Sequence, residues 1–239
     1  MNKQSLLQRF KEGCEKLKPM TWAQRIDHIW TYYKAVIFFS FIVILLPVAL
    51  IISFFNKKEV IFGGMAINMD MRQVGVTYLT DDLFVELGGD PKKEIVELSA
   101  NAFDVNSNEA EASYNAAMST IARVEAGTLD YIILDLTALE LYIGEEIYMD
   151  LNVVFTPEEL DAFGEDNIVT ITPEDDLSIR TPIAINITQT AFAKDCLEAE
   201  GEIYFVFVGP EEKAESYREF WAYFMAWEQT EYHKQIAGN

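Results

Sequence analysis

The sequence predicts an α/β protein, with a transmembrane helix followed by one three-layer αβα domain whose sheet is mainly parallel. Three observations lead to this prediction. An uncharged apolar run of 21 residues occupies 35–55. After it, short apolar runs alternate with amphipathic helical patterns, which is typical of βαβ units. The chain of 239 residues has a formal net charge of −21 and two cysteines, so we expect a solvated domain without a disulfide framework.

The apolar run at 35–55 matches the thickness of a lipid bilayer. At about 1.5 Å per residue, a helix of this length extends about 31 Å. The run is too long for the apolar part of a signal peptide, and Phe54 and Phe55 stand where a cleavage site needs small residues. We therefore expect an uncleaved single-pass helix with the lipid bilayer as a partner.

The distribution of charge predicts the orientation of this helix. Residues 1–34 carry seven Lys or Arg and three acidic residues. Basic flanks stay in the cytoplasm, so we expect a cell-membrane protein with a cytoplasmic N-terminus and an extracytoplasmic C-terminal domain. The expected segments are a basic tail with an amphipathic helix at 1–34, the span at 35–55, a linker at 56–59, the α/β domain at 60–228 and a frayed end at 229–239.

The first half of the domain has the pattern strand–helix–strand–helix–strand. Apolar runs predict the three strands at 60–68, 94–98 and 131–134. Apolar residues at helical spacing predict helices at 77–87 and from Asn108, as the N-cap, to Ala126. Connections of this length favour parallel pairing with right-handed crossovers.

The second half continues with shorter elements. Its helices are expected at 137–143, from Pro157 after a Thr156 cap, from Thr190 to Ala199, and at 210–227. Extended segments are expected at 148–155, 168–172, 182–188 and 203–208.

One segment of the chain resembles a known family. Residues 122–135, Ala-Arg-Val-Glu-Ala-Gly-Thr-Leu-Asp-Tyr-Ile-Ile-Leu-Asp, are similar to the helix–Ala-Gly-x-x-Asp–strand segment of bacterial extracellular solute-binding proteins. The segment 148–152, the strand that begins at Thr181 and the closing helix at 210–227 are similar as well. The resemblance covers about residues 60–227, and it implies one truncated lobe of a two-lobed solute-binding fold.

The residue types of the domain do not indicate catalysis or a cofactor. His233 and Cys196 are its only histidine and cysteine, so we expect neither a transition-metal site nor histidine-dependent nucleophilic catalysis. The loop 104–108 begins like an EF-hand loop, but Glu109 stands where that loop needs glycine. The strong negative charge disfavours nucleic acid as a partner. We expect no enzyme, no bound metal and no cofactor.

Polar residues that follow the predicted strands are the candidates for ligand binding. In α/β sheets, ligands bind beyond the carboxyl ends of parallel strands. The candidates are Asn68, Asp70, Asn101, Asp135, Thr137, Thr188 and Gln189. The same residue types are typical of helix caps and turns, and that alternative stays open.

Two functions agree with these observations. The first is a membrane-tethered, non-catalytic binding or interaction module that resembles a solute-binding protein and contacts a small solute, a peptide or another membrane protein. The second is an accessory or structural subunit of a transporter or cell-envelope complex, with no small-molecule ligand.

Overall fold

The structure, a computed structural model, describes residues 21–55, 57–101, 110–172 and 180–238. The chain forms two compact units, Met1–Lys57 and Lys58–Asn239. The part of the predicted tail helix before residue 21 and the polar loop at 102–109 lie outside the described residues.

The described part of the first unit forms a helix, α1, at Trp22–Phe55, with Pro47 inside it. Among the described residues, no helix has both the length and the apolar character that crossing a membrane requires. The structure therefore contradicts the prediction of a transmembrane helix at 35–55 and of a single-pass membrane protein.

The second unit is a mixed α/β fold. Its described strands are β1 Glu59–Ile67, β2 Asp70–Met71, β3 Glu94–Asn101, β4 Tyr131–Asp135, β5 Ile168–Ile171, β6 Thr181–Asn186, β7 Leu197–Glu198 and β8 Ile203–Phe207. Its described helices are α2 Gln73–Thr77, α3 Leu83–Glu86, α4 Ala110–Glu125, α5 Leu136–Gly144, α6 Pro157–Phe163, α7 Ala191–Cys196, α8 Ala214–Met225 and α9 Glu231–Ala237. A π-helical turn, Tyr78–Asp82, joins α2 to α3.

Six strands form the main sheet in the order β3-β1-β4-β8-β6-β5, and β2 pairs with β7 separately. Strand β1 is parallel to β3 and β4, as the first half of the sequence predicts. Strand β8 is antiparallel to both β4 and β6, and β5 is antiparallel to β6. The sheet is therefore mixed, and the prediction of a mainly parallel sheet is wrong. A strand buried on both faces is a continuous apolar run whichever way it points, so the run at 203–208 does not reveal its direction.

Both faces of the main sheet are covered by packed side chains. One face carries an aromatic core whose buried members include Phe62, Tyr131, Phe205, Phe220 and Phe224. The opposite face carries a more aliphatic core whose buried members include Met65, Ile132, Leu134, Leu139 and Val206. The sheet therefore lies between two layers of helices and loops.

Three local features refine the predicted elements. The segment 148–155, expected to be extended, contains a 3-10 turn at Leu151–Val153, because the Asp150 carboxylate accepts the backbone N–H of Asn152. The end expected to be frayed contains α9, whose first turn is capped by the Thr230 hydroxyl. At one edge of the sheet, the pairing of β5 with β6 shifts register between Val169 and Thr170.

A buried carboxylate, Asp130, joins the layers at the start of β4. Its side chain is 1% exposed and accepts hydrogen bonds from the Gly63 backbone N–H at 2.8 Å, Lys213 Nζ at 2.8 Å and Tyr217 Oη at 3.0 Å. Gly63 fits here because a Cβ atom at this position would overlap the carbonyl oxygen of Thr128. This Asp is the one in the Ala-Gly-x-x-Asp segment, and its contacts in this fold are structural.

Tyr131 provides a test of the aromatic core. Its ring stacks on Phe205 and Phe220, and its buried hydroxyl has no hydrogen-bond partner among the described residues. A buried hydroxyl without a partner costs about 1–3 kcal/mol. We therefore expect Tyr131→Phe to raise the free energy of unfolding by about 1 kcal/mol, measured by urea denaturation.

Tyr204→Phe is the matched control, because the Tyr204 hydroxyl donates to Glu202 Oε2 at 2.6 Å. This variant loses a hydrogen bond and should lower the free energy of unfolding by about 1 kcal/mol. Equal destabilisation by both substitutions would contradict the assignment of the Tyr131 hydroxyl as unpartnered.

Candidate functional site

Four strands of the main sheet end on the same side, because β8 reverses direction once and β6 reverses it again. We call this side the carboxyl end of the sheet; β1, β3, β4 and β6 finish there. The register pairs Ile67 with Asn101 and with Leu134, and it pairs Tyr204 with both Leu134 and Asn186. These paired residues form one line across the sheet, and most of the predicted binding residues lie in this line or just beyond it.

Asn68 and Asp135 are in contact at the ends of β1 and β4. The Asn68 side-chain amide nitrogen lies 3.2 Å from each carboxylate oxygen of Asp135. Asp135 Oδ1 also accepts the Ala138 backbone N–H at 2.9 Å, so this carboxylate caps the start of α5. The backbone of Asn68 is in the left-handed region, with φ of 57°. Asparagine tolerates that conformation better than most residues, because its short side chain bonds locally.

Thr188 belongs to a second polar group, which lies at the end of β6, on the other side of β8 from Asp135. Its hydroxyl donates to Asn186 Oδ1 at 2.6 Å and accepts the Ile203 backbone N–H at 2.8 Å. Ile203 is the residue of β8 that pairs with Asp135. The two polar groups are therefore separated by the width of β8 alone.

The remaining predicted residues lie at or beside the carboxyl end of the sheet, outside these two hydrogen-bonded groups. Asp70 is exposed in β2, where it pairs with Glu198 of β7. Thr137 is exposed in the first turn of α5, and Gln189 is exposed in the turn after β6. Asn101 ends β3, and its side chain lies outside the described residues.

Three residues at the carboxyl end were missed by the sequence analysis. Asn186 Nδ2 donates to Glu202 Oε1 at 3.2 Å, and Tyr204 Oη donates to Glu202 Oε2. Burial and the hydrogen bond to Glu202 raise the pKa of Tyr204 to about 12, so its hydroxyl stays protonated as a donor. Glu202 precedes β8, so a search limited to residues that follow parallel strands could not find it. Asn186, a polar residue within the apolar run 182–188, was the available signal.

Elsewhere in the described part of the unit, the titratable side chains of His233, Asp195 and Cys196 have contacts within the fold. Within the described ranges, no group of three or more His, Cys, Asp or Glu side chains is arranged to hold a metal ion. His233 Nδ1 lies 2.6 Å from Asp195 Oδ2, and the same oxygen accepts Trp227 Nε1 at 2.8 Å. This carboxylate therefore ties α7 to the chain around α9. The neighbouring thiol of Cys196 is fully buried, so it is a core side chain.

The chemical reactivity of Cys196 follows from this burial. Burial raises the pKa of its thiol to about 12, so the thiolate is scarce in the folded protein at pH 8. We expect iodoacetamide to label Cys196 in a Cys14→Ser variant on the order of 100-fold more slowly in the folded than in the urea-unfolded protein. Because the pKa of the Cys196 thiol is higher in the folded than in the unfolded chain, its protonated form contributes to the free energy of unfolding. This contribution is fully present below about pH 8.5 and is lost as the pH rises towards 12.

The matched control for labelling is Gln189→Cys in a chain that lacks both native cysteines, because Gln189 is exposed. Its thiol should react at nearly the same rate in the folded and the unfolded protein. Rapid labelling of Cys196 in the folded chain would contradict its position in the core.

Comparisons with protein-family models, with curated proteins and with solved structures give no match to this chain. The resemblance to solute-binding proteins therefore stays a prediction. The candidate site is defined by its own geometry: the carboxyl end of a mixed sheet, with Asn68 on Asp135 and Thr188 on Asn186.

Proposed function

We propose that residues 58–239 form a non-catalytic binding module that holds a small polar solute at the carboxyl end of the sheet. The observation that carries the proposal is the contact between Asn68 and Asp135. Its left-handed backbone puts Asn68 in a sparsely populated conformation, and such residues cluster at ligand sites. The contact lies beyond the ends of adjacent parallel strands, where α/β sheets bind their ligands.

The chemistry of this end favours a solute rich in hydrogen-bond donors. Asp135 is half-buried, and a carboxylate offers about four acceptor positions. The described contacts of Asp135 use the amide of Asn68 and the backbone N–H of Ala138. Glu202 adds a second, exposed carboxylate on the far side of β8. An amine, an amino acid or a sugar hydroxyl would supply donors to these oxygens.

The test is a thermal-shift screen of the full chain against amino acids, polyamines and sugars, followed by calorimetric titration of each hit. A solute at 100 times its dissociation constant stabilises a protein by about 2.7 kcal/mol, which is an easily measured shift. Asp135→Asn removes the charge but keeps a residue that caps helices well. We expect this variant to bind the hit at least about tenfold more weakly, which corresponds to 1.4 kcal/mol.

Asp150→Asn is the matched control. Asp150 also caps a helical turn, and its neighbour Met149 bonds to Phe207, at the opposite end of the sheet. The control should bind the hit as the unaltered chain does. A hit that binds Asp135→Asn at full affinity would contradict the site. A screen without any hit would instead favour an accessory subunit with no small-molecule ligand.

A further inference from the structure

A groove on the helical layer of the second unit is separate from the carboxyl end of the sheet. It has a volume of about 700 Å³ and runs between the segment 78–87 and the segment 219–230. Tyr78 and Phe220 are buried at its base, and Leu87 in its wall is 37% exposed. Because Leu87 is a large aliphatic side chain, the groove offers accessible apolar surface.

The two sides of the groove are held together by a reciprocal pair of tyrosines. Tyr78 Oη donates to the Tyr223 carbonyl oxygen at 2.6 Å, and Tyr223 Oη donates to the Tyr78 carbonyl oxygen at 2.9 Å. Their rings stack with centroids 4.4 Å apart. Two hydrogen bonds and a stacked pair fix the separation of the segments, so the groove is formed before any partner arrives. A preformed groove reduces the ordering cost of binding.

The backbone at the groove is unusual. Tyr78 begins the π-helical turn that interrupts the helix between α2 and α3. Turns of this kind are rare, and they occur frequently at functional sites. Here the turn contributes Tyr78 to the groove, and the next helical turn contributes Glu86 and Leu87.

The groove is acidic on both sides. Glu86 lies on one wall and Glu219 on the other; both are exposed. The lining contains no lysine or arginine among the described residues. Asp82 adds a further negative charge near the two tyrosine hydroxyls, and the whole chain carries a net charge of −21. A cationic partner is therefore attracted here, and an acidic one is repelled.

From this geometry we propose that the groove docks a basic, amphipathic segment of a partner protein, with its apolar side chains against Leu87 and Ala222 and its lysines or arginines beside Glu86 and Glu219. This is a helix-in-groove mode of recognition. The groove is about 700 Å³ in volume and has an acidic side chain on each wall, so a small cation would fill only part of it. A peptide segment is therefore the occupant that fits both the charge and the apolar surface.

The test uses a fluorescein-labelled amphipathic helix of leucines and lysines, about 14 residues long, titrated with the full chain by fluorescence anisotropy. The unaltered chain should bind this peptide, and it should not bind a peptide with glutamate in place of each lysine. Glu86→Lys with Glu219→Lys should weaken binding at least about tenfold. Ala222→Trp fills the groove at an exposed lining position without changing the charge, and it should weaken binding by a similar factor.

The matched control is Glu140→Lys with Glu200→Lys. Both positions are exposed and outside the groove lining, and the pair changes the net charge by the same amount. It should alter the affinity by less than about threefold. The proposal is overturned if this control weakens binding as much as the groove variant, if Ala222→Trp binds as the unaltered chain does, or if the basic peptide does not bind. None of these outcomes bears on a solute at the carboxyl end of the sheet, which the Asp135 and Asp150 variants test.

Discussion

The buried carboxylate of Asp130 is the interaction on which the rest of the second unit depends. It receives three donors from three parts of the chain: the backbone of β1, the ammonium of Lys213 and the hydroxyl of Tyr217 in α8. A charge at 1% exposure is tolerated only when it is paired and hydrogen-bonded. The same residue accepts the Val208 backbone N–H with its own carbonyl oxygen, so β8 is tied to this point as well.

Strands β1 and β4 are therefore tied at both ends. Asp130 joins them where β4 starts, and the contact of Asn68 with Asp135 joins them where they finish. Between these points Gly64 faces the ring of Tyr131, and a Cβ atom there would overlap that ring. The close approach of the two strands thus depends on a small residue as well as on polar contacts. It gives the proposed solute site a rigid base.

The local pattern of the sequence predicts the strands and caps of this fold well, because those features depend on neighbouring residues. The apolar run before Asn68 is β1, and Thr190 caps α7 through its hydroxyl. The direction of β8 could not be predicted in this way, because direction depends on a distant partner strand. That error also concealed Glu202, which an antiparallel strand carries to the carboxyl end. The groove depends on contacts between Tyr78 and Tyr223, which are 145 residues apart. A pattern of neighbouring residues therefore cannot predict it.

The irregular pairing of β5 affects whether a second copy of this protein can add a strand to the sheet. An open strand with regular spacing invites a strand from another molecule to add to the sheet. Here the outermost strand has four residues, and its ladder slips between Val169 and Thr170. A slip of this kind increases the local twist of a strand, and a twisted edge is a poor template for a neighbouring chain. Growth of fibrils from this side of the molecule is therefore disfavoured by the backbone itself.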